Sequence, residues 1–253
     1  MKDFYYYVTF LSVFCGIFCI EYVSGFPSNI KQCQIGDDSC IISTMNEIIH
    51  NAGNGNKELN LPVLEPYNVK KLVISDRNQG SSLGLDLIFN DVEFRGLSKA
   101  IVDKIVGFEA DPSTSKFEFY GLIPRFELKA KYVANGRILI LPIQGEGDAN
   151  IVGLNVKVSV KFKPTVNVKN GKKYLDKVKV KLLLQPAKIE TRLDNLFNGD
   201  KLLGENMNRF LNENWSDVWE ELAPNVNTAL ADVVTNILTQ VFDTLSYDEF
   251  YLN

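Results

Sequence analysis

A long alternation of apolar and polar residues constrains the fold of this chain more than any other feature. Over 151–163 the inward set is Val152, Leu154, Val156, Val158, Val160 and Phe162. The alternate positions carry four polar residues that face the other way: Asn155, Lys157, Ser159 and Lys161. A period of two is typical of a β-strand with one buried face. Residues 174–184 repeat the pattern, and Asn170 and Gly171 between the two segments predict a type I′ hairpin turn. Strands of about 11 residues would be about 36 Å long, which is about twice the usual length.

Two changes of parity predict that these strands bend. Leu83, Leu85, Leu87 and Phe89 alternate on odd positions, whereas Val92 and Phe94 continue on even ones. An extra residue near Asn90 and Asp91 would explain the change, and this is the pattern of a β-bulge. A second change lies across 121–124, where Phe117 and Phe119 give way to Phe126, Leu128, Ala130 and Tyr132. The sequence therefore predicts a strongly curved antiparallel sheet.

The C-terminal segment predicts a long helix for this sheet to wrap around. Its apolar residues recur at steps of three and four, the spacing of one helical face. They are Met207, Phe210, Leu211, Trp215, Val218, Trp219, Leu222, Val226, Leu230, Val233, Val234, Ile237, Leu238, Val241, Phe242 and Leu245. Pro224 predicts a kink or a division into two helices. A shorter helix is expected over 41–50, with Ser39 as its N-cap. The expected fold is a single α+β domain in which a long, curved antiparallel β-sheet wraps around a long C-terminal α-helix.

The N-terminus has the features of a signal peptide. Residues 4–20 contain no charged side chain, Lys2 supplies a positive charge before them, and Gly25 offers a small residue for cleavage. We predict a signal peptide over 1–25, a mature domain over 26–253, and secretion to the extracellular space. The alternative is a single N-terminal membrane anchor, although the apolar span is shorter than the 20 or so residues such an anchor needs.

The mature chain would retain two cysteines, Cys33 and Cys40. In an oxidising compartment a disulfide between them is expected to close a short loop before the first helix. A redox-active pair is the alternative, but the C-x-x-C spacing typical of such pairs is missing.

The residue inventory argues against catalysis and against nucleic-acid binding. The chain has a single histidine, His50, and a formal net charge of -4, so a zinc site, a histidine-based triad and a basic nucleic-acid footprint are all unexpected. The run 80–84 fits the G-x-S-x-G pattern, with Ser82 as the nucleophile of an esterase. A strand pattern, not a helix, follows it, so we interpret the run as a turn and expect neither an enzyme nor a metal or other cofactor.

Charge is segregated along the chain. Nine lysines and one acid lie between Lys157 and Lys181, whereas nine acids and one arginine lie between Glu205 and Glu249. The lysines are interpreted as the solvated outer face of the sheet, with docking on an anionic membrane as the alternative. We expect a monomer whose contacts with a membrane or receptor are transient.

An excess of inward-facing aromatic side chains indicates a binding site for an elongated apolar molecule. A curved sheet around a helix leaves room for an apolar tunnel, and Tyr132 or His50 could serve as its polar group. The residues assigned to this ligand site are Phe89, Phe94, Phe119, Phe126, Tyr132, Leu141, Val158, Phe210, Trp215 and Trp219. The alternative is a filled core in a secreted protein-interaction or signalling module.

Several sequence blocks resemble the Takeout / juvenile-hormone-binding family of secreted insect proteins, and together they cover nearly all of residues 30–251. The central block comprises IPRFEL at 123–128 followed by Tyr132, Gly136, 138–139, 141–143, Gly145 and Gly147; the C-terminal block comprises LFNG at 196–199, Leu203, Gly204, FLNENW at 210–215 and YDEF at 247–250. The Cys33 and Cys40 pair matches the N-terminal disulfide of the family.

The resemblance implies a tubular lipid-binding fold and the carriage of lipophilic small molecules such as juvenile hormone, terpenoids or fatty acids, without catalysis. Carriers of juvenile hormone usually contain a second disulfide. The mature chain cannot form one, which favours the Takeout branch of the family.

Overall fold

The computed structural model describes residues 26–75, 85–176 and 178–252. Three α-helices lie in these ranges: α1 (Asp38–Asn51), α2 (Lys201–Glu213) and α3 (Trp215–Thr244). Short 3₁₀ turns occur at Ala52–Asn54, Leu97–Lys99, Phe197–Gly199 and Tyr247–Phe250. None of the helices in the described ranges is long and apolar enough to cross a membrane.

Nine strands lie in the same described ranges. They are β1 (Tyr67–Ser75), β2 (Leu85–Arg95), β3 (Ile101–Val106), β4 (Phe117–Ile138), β5 (Leu141–Phe162), β6 (Thr165–Lys169), β7 (Lys172–Asp176), β8 (Val180–Gln185) and β9 (Lys188–Leu193). Seven of them make one antiparallel sheet in the order β1-β2-β4-β5-β8, with β3 paired to β4 and β9 paired to β5. The 22-residue strands β4 and β5 form its central hairpin, twice the strand length expected from the sequence.

The sheet curves around α3. Strands β1 and β8 stand at opposite ends of the strand order, yet both contact this helix. One source of curvature is the predicted bulge: the β2–β4 register shifts between Asn90 and Glu93, and Asp91 adopts a φ of +50°. The fold class expected from the sequence, an α+β domain with a curved antiparallel sheet around a long C-terminal helix, is confirmed.

The second parity change is real, but it is not a bulge between β4 and β5. These strands keep one register from the Phe117–Phe162 pair to the Ile138–Leu141 pair. The buried positions change parity in both strands between Ile123 and Leu128, close to Asn155, whose φ is +45°. Both strands therefore twist together at this point, and no residue is added.

The predicted hairpin turn exists but joins different strands. Asn170 and Gly171 both have positive φ, as a type I′ turn requires, and they connect β6 to β7 in a separate two-stranded sheet. The C-terminal end of β5, residues 157–162, pairs with β8, which begins only at Val180. Pro164 lies two residues after the end of β5 and cannot donate a backbone hydrogen bond, so the long ladder does not continue past this point.

The helix boundaries correct two further predictions. The N-cap of α1 is Asp37, whose carboxylate accepts a hydrogen bond from the Cys40 amide at 3.0 Å, so Ser39 lies inside the first turn. The C-terminal helical segment divides at Asn214, and α3 continues through Pro224. The predicted disulfide joins Cys33 to Cys40, just before and within α1.

Asparagine side chains of the helices form hydrogen bonds with backbone amides and carbonyls at the edges of the sheet. The Asn212 amide exchanges two hydrogen bonds with the backbone of Thr191, at 2.8 and 2.7 Å, and Asn208 does the same with Leu193. On β3, Asn46 of α1 exchanges a similar pair with Val102. These contacts fix the helices against strand edges that would otherwise be open.

Candidate ligand-binding site

An apolar cavity, the larger of a pair that adjoin along the sheet, lies between the inner face of the sheet and helices α1 and α3. Its volume is about 360 Å³, and its walls are almost entirely apolar. Wall residues include Met45, Ile48 and Ile49 from α1, Phe119, Val158 and Val160 from the sheet, and Val234, Leu238 and Val241 from α3.

Cross-strand rows show where this cavity begins and ends. The row of Phe117, Phe162 and Val180 is buried and closes one end. The Phe117 and Phe162 rings stack at 5.2 Å, and Phe242 of α3 lies 5.9 Å from Phe162. At the other end Ile123 and Val156 form a buried pair.

Between these closed rows the inner face is incompletely covered. Phe119, Val160 and Leu182 form one row across three strands, and all three are only half-buried although they face the helix layer. Val158 in the next row is also half-buried. From Phe117 to Ile123 the rows span about 20 Å, so the void is elongated along the strands.

A smaller cavity of about 140 Å³ lies beyond the Ile123–Val156 pair. Its walls come from the other half of the sheet and from α2 and α3. They include Leu72, Phe89, Phe126, Leu211, Trp215 and Trp219. Ile123 lines the larger cavity and Val156 the smaller one, so the two voids adjoin at one cross-strand pair. The structure has two adjoining cavities where the sequence predicted a single tunnel.

Six of the ten residues assigned from the sequence line a cavity. Phe119 and Val158 line the larger one, and Phe89, Phe126, Trp215 and Trp219 line the smaller one. The structure therefore does not bring the six together around one void.

The other four line neither cavity. Phe94 stacks on Phe126 at 5.5 Å inside the core, whereas Leu141 and Phe210 pack at its margin. The Tyr132 hydroxyl donates to the Asp194 carbonyl at 2.8 Å, and burial, reinforced by the charge of Asp194, raises the pKa of Tyr132 to about 12. His50 is exposed in the last turn of α1 and lines neither cavity. Neither predicted polar group reaches a cavity.

The polar side chains that line the larger cavity are Lys31, Thr44, Tyr120 and two tyrosines from the C-terminal residues. Tyr247 and Tyr251 both line it. The Tyr251 hydroxyl donates to the Tyr247 hydroxyl at 2.9 Å, which donates to the Glu109 carbonyl at 2.7 Å. Burial raises the pKa of Tyr247 to about 12 and also raises the pKa of Tyr251. Both groups are therefore neutral hydrogen-bonding groups at ordinary pH.

Sequence reasoning missed this tyrosine pair and the α1 wall. The apolar spacing of α1 was visible in the sequence and could have suggested the wall. The tyrosines follow α3, and no periodic pattern indicates where such a segment packs. The run 80–84, with Ser82 and the esterase alternative, lies outside the described residues.

Comparisons with known proteins agree with this architecture. The sequence profile of the haemolymph juvenile hormone binding protein family matches residues 10–252. The circadian clock-controlled protein daywake of Drosophila melanogaster is 29% identical over 237 residues, covering 92% of this chain and 90% of the relative. Daywake of Drosophila yakuba is 28% identical over 236 residues with the same coverage.

A solved structure shares the fold. The crystal structure of Epiphyas postvittana Takeout 1 superimposes with a TM-score of 0.73, covers 87% of this chain and 98% of that chain, and is 23% identical in sequence. At that identity the likeness establishes the shared architecture alone.

Proposed function

The chain belongs to the haemolymph juvenile hormone binding protein family, and on this premise we propose that it carries an elongated, mostly apolar small molecule in its larger cavity. The observation that carries the proposal is the elongated gap of about 360 Å³ between two closed aromatic and aliphatic rows. A plain core would bury Phe119 and Val160, because both face the helix layer from central strands. Their partial exposure supports a space kept for a ligand over the alternative of a filled core.

The expected strength of binding follows from buried area. Removing about 400 Å² of ligand surface from water contributes about 10 kcal/mol. Association costs at least about 4 kcal/mol, which leaves at most about 6 kcal/mol and a dissociation constant of tens of micromolar or weaker. No catalytic step is needed for this role, and we propose none.

The chemistry of the walls favours a ligand with one polar end. Most of the cavity offers only hydrocarbon contacts, whereas Tyr247 and Tyr251 offer hydroxyl oxygens. A fatty acid, a terpenoid or juvenile hormone would each present a long apolar body and a small oxygen-containing group. The single disulfide of the mature chain favours a Takeout-like ligand range over strict hormone specificity.

We also propose that the protein is secreted as residues 26–253 after removal of residues 1–25. Three observations support this: the uncharged segment 4–20, the Cys33–Cys40 disulfide, and the haemolymph location named in the family's description. N-terminal sequencing of protein from the culture medium of expressing insect cells should begin at Phe26. Retention of the whole chain in the cell membrane would contradict it.

A competition experiment tests the proposed ligand class. The purified protein is titrated with a fluorescent long-chain fatty acid, which is then displaced by an unlabelled fatty acid, a terpenoid or juvenile hormone. We expect saturable binding, displacement by long apolar competitors, and no displacement by a short-chain acid. Absence of saturable binding by protein first stripped of co-purified lipid would refute the proposal.

A further inference from the structure

The outer surface of strands β3, β4, β5 and β8, on the side away from α3, combines lysines with exposed apolar side chains. Three cross-strand rows make up this surface, which we call the lysine face. The rows are Ile101–Leu122–Lys157–Gln185, Lys104–Tyr120–Ser159–Leu183 and Val106–Glu118–Lys161–Lys181. Four lysines therefore share these rows with Glu118, and the exposed Asp103 lies beside Lys104 in the β3 bulge.

Contacts within the chain balance the charge of these lysines only in part. Lys161 and Lys181 are directly opposite each other on paired strands, where like charges repel. Lys161 has one ion pair, with Glu118 at 3.0 Å. Within the described residues, neither Lys157 nor Lys181 has a carboxylate at ion-pair distance. The positive charge of Lys157 and Lys181 is therefore available to bind a negatively charged partner.

Apolar side chains stand among the lysines and reach solvent. Leu183 is 49% exposed, Ile101 44% and Val106 43%. The Tyr120 ring lies between two ammonium groups, with Lys104 at 5.4 Å and Lys161 at 5.3 Å from its centroid. A face that contacts only water does not need exposed apolar side chains. A surface that enters the headgroup region of a membrane uses both lysines and apolar side chains.

The opposite side of the sheet carries the contrary charge. Helix α3 lies along the open edge of β8, where Asn227 accepts from the Leu184 amide at 3.1 Å. Its exposed acids include Asp217, Glu220, Asp232 and Asp243. The molecule is therefore polarised across the sheet, and a negatively charged surface would attract the lysine face while repelling α3.

We propose that the lysine face docks the protein onto an anionic lipid surface. The lysines would meet the headgroups, and Leu183, Ile101 and Val106 would enter the outer edge of the hydrocarbon. Ile101 and Tyr120 of this face also line the larger cavity, so docking would place a cavity wall against the membrane. This inference goes beyond ligand carriage, and it succeeds or fails independently of it.

Flotation of the purified wild-type protein with lipid vesicles tests the proposal. The vesicles are phosphatidylcholine with or without phosphatidylserine, in about 0.1 M and about 1 M salt, where the Debye length falls from about 10 to about 3 Å. The protein is expected to float with the anionic vesicles only, and chiefly at the lower salt concentration. Failure to float with phosphatidylserine vesicles in low salt would overturn the proposal.

Two variants assign the binding to this face. Each lysine at an anionic surface raises the partition coefficient about fivefold, so Lys157→Gln with Lys181→Gln should lower it roughly 25-fold. Leu183→Ser should lower it about fivefold. The matched control, Lys71→Gln with Lys201→Gln, removes two exposed charges from β1 and α2 and should float like the wild type. Equal losses in the lysine-face and control variants would overturn the assignment.

A heparin column separates lipid from other polyanions. Retention on heparin without flotation, or flotation unaffected by Leu183→Ser, would mean that the face recognises charge alone and would overturn the lipid assignment. Thermal unfolding checks the folding of each variant. Lys181→Gln should be at least as stable as the wild type because it removes the repulsion with Lys161.

Discussion

Replacing Val160 with phenylalanine is expected to fill part of the larger cavity and to weaken ligand binding without destabilising the protein. Val160 lies on the inner face of β5 between Phe119 and Leu182, half-buried and facing the void. The side chain gains about four carbons, which would displace about four methylene groups of ligand. At about 0.8 kcal/mol for each, the affinity should fall by about 3 kcal/mol, or roughly 200-fold.

The stability of this variant distinguishes a void from a packed core. The added ring has space to bury its own carbons, so the free energy of unfolding should stay level or rise. In a filled core the same change would cost about 1–3 kcal/mol through overpacking. Displacement of a fluorescent fatty acid measures the affinity, and urea unfolding measures the stability.

Val133→Phe is the matched control. Val133 is 40% exposed on the outer face of β4 and lines neither cavity, so the same substitution there should leave affinity unchanged. Equal affinities for Val160→Phe and Val133→Phe, or a loss of stability of several kcal/mol in Val160→Phe alone, would refute the reasoning.

Three other predictions concern stability. Replacing Cys33 and Cys40 with serine opens a loop of sequence separation 7 and should cost about 2.5 kcal/mol in urea unfolding; an unchanged midpoint would contradict it. Asn212→Ala leaves the amide and carbonyl of Thr191 without their partner and should cost about 2 kcal/mol, whereas a cost near zero would show that water replaces the side chain. The raised pKa of Tyr247 means that the folded protein keeps a proton that the unfolded chain loses above about pH 10, so stability should fall as the pH rises from 10 towards 12; a Tyr247→Phe variant with an equally steep alkaline loss would contradict this assignment.

The sequence could predict features that depend on local periodicity. From Val156 to Phe162 the alternation predicted the inner and outer faces of β5, because a strand places successive side chains on opposite sides. The prediction was wrong for Val152 and Leu154, because the parity change near Asn155 places Ile151 and not Val152 on the inner face. The parity change at Asn90 predicted the bulge in β2 for the same reason. The short spacing of Cys33 and Cys40 left few alternatives to their disulfide.

Features set by tertiary contacts escaped prediction. The C-terminal helices divide at Asn214 and not at Pro224. Asn208 and Asn212 tie α2 to the edge of β9, so its direction follows that strand, whereas α3 follows β8. Nothing in the apolar spacing around Pro224 records this constraint.

The ligand site was only partly predictable for a related reason. Aromatic residues on an inner face look alike in sequence whether they fill space or border it. Phe94 is covered by Phe126, whereas Phe119 faces the cavity. The difference depends on which helix residues lie opposite, and that is decided by the packing of α1 and α3.

Native mass spectrometry of the protein purified from the medium of expressing insect cells tests the central claim most directly. If the larger cavity carries an elongated apolar ligand, part of the population should have a mass above that of the polypeptide. Extraction with organic solvent should remove the excess, and Val160→Phe should reduce it while Val133→Phe should not. A single species at the polypeptide mass that takes up no added fatty acid would contradict the account.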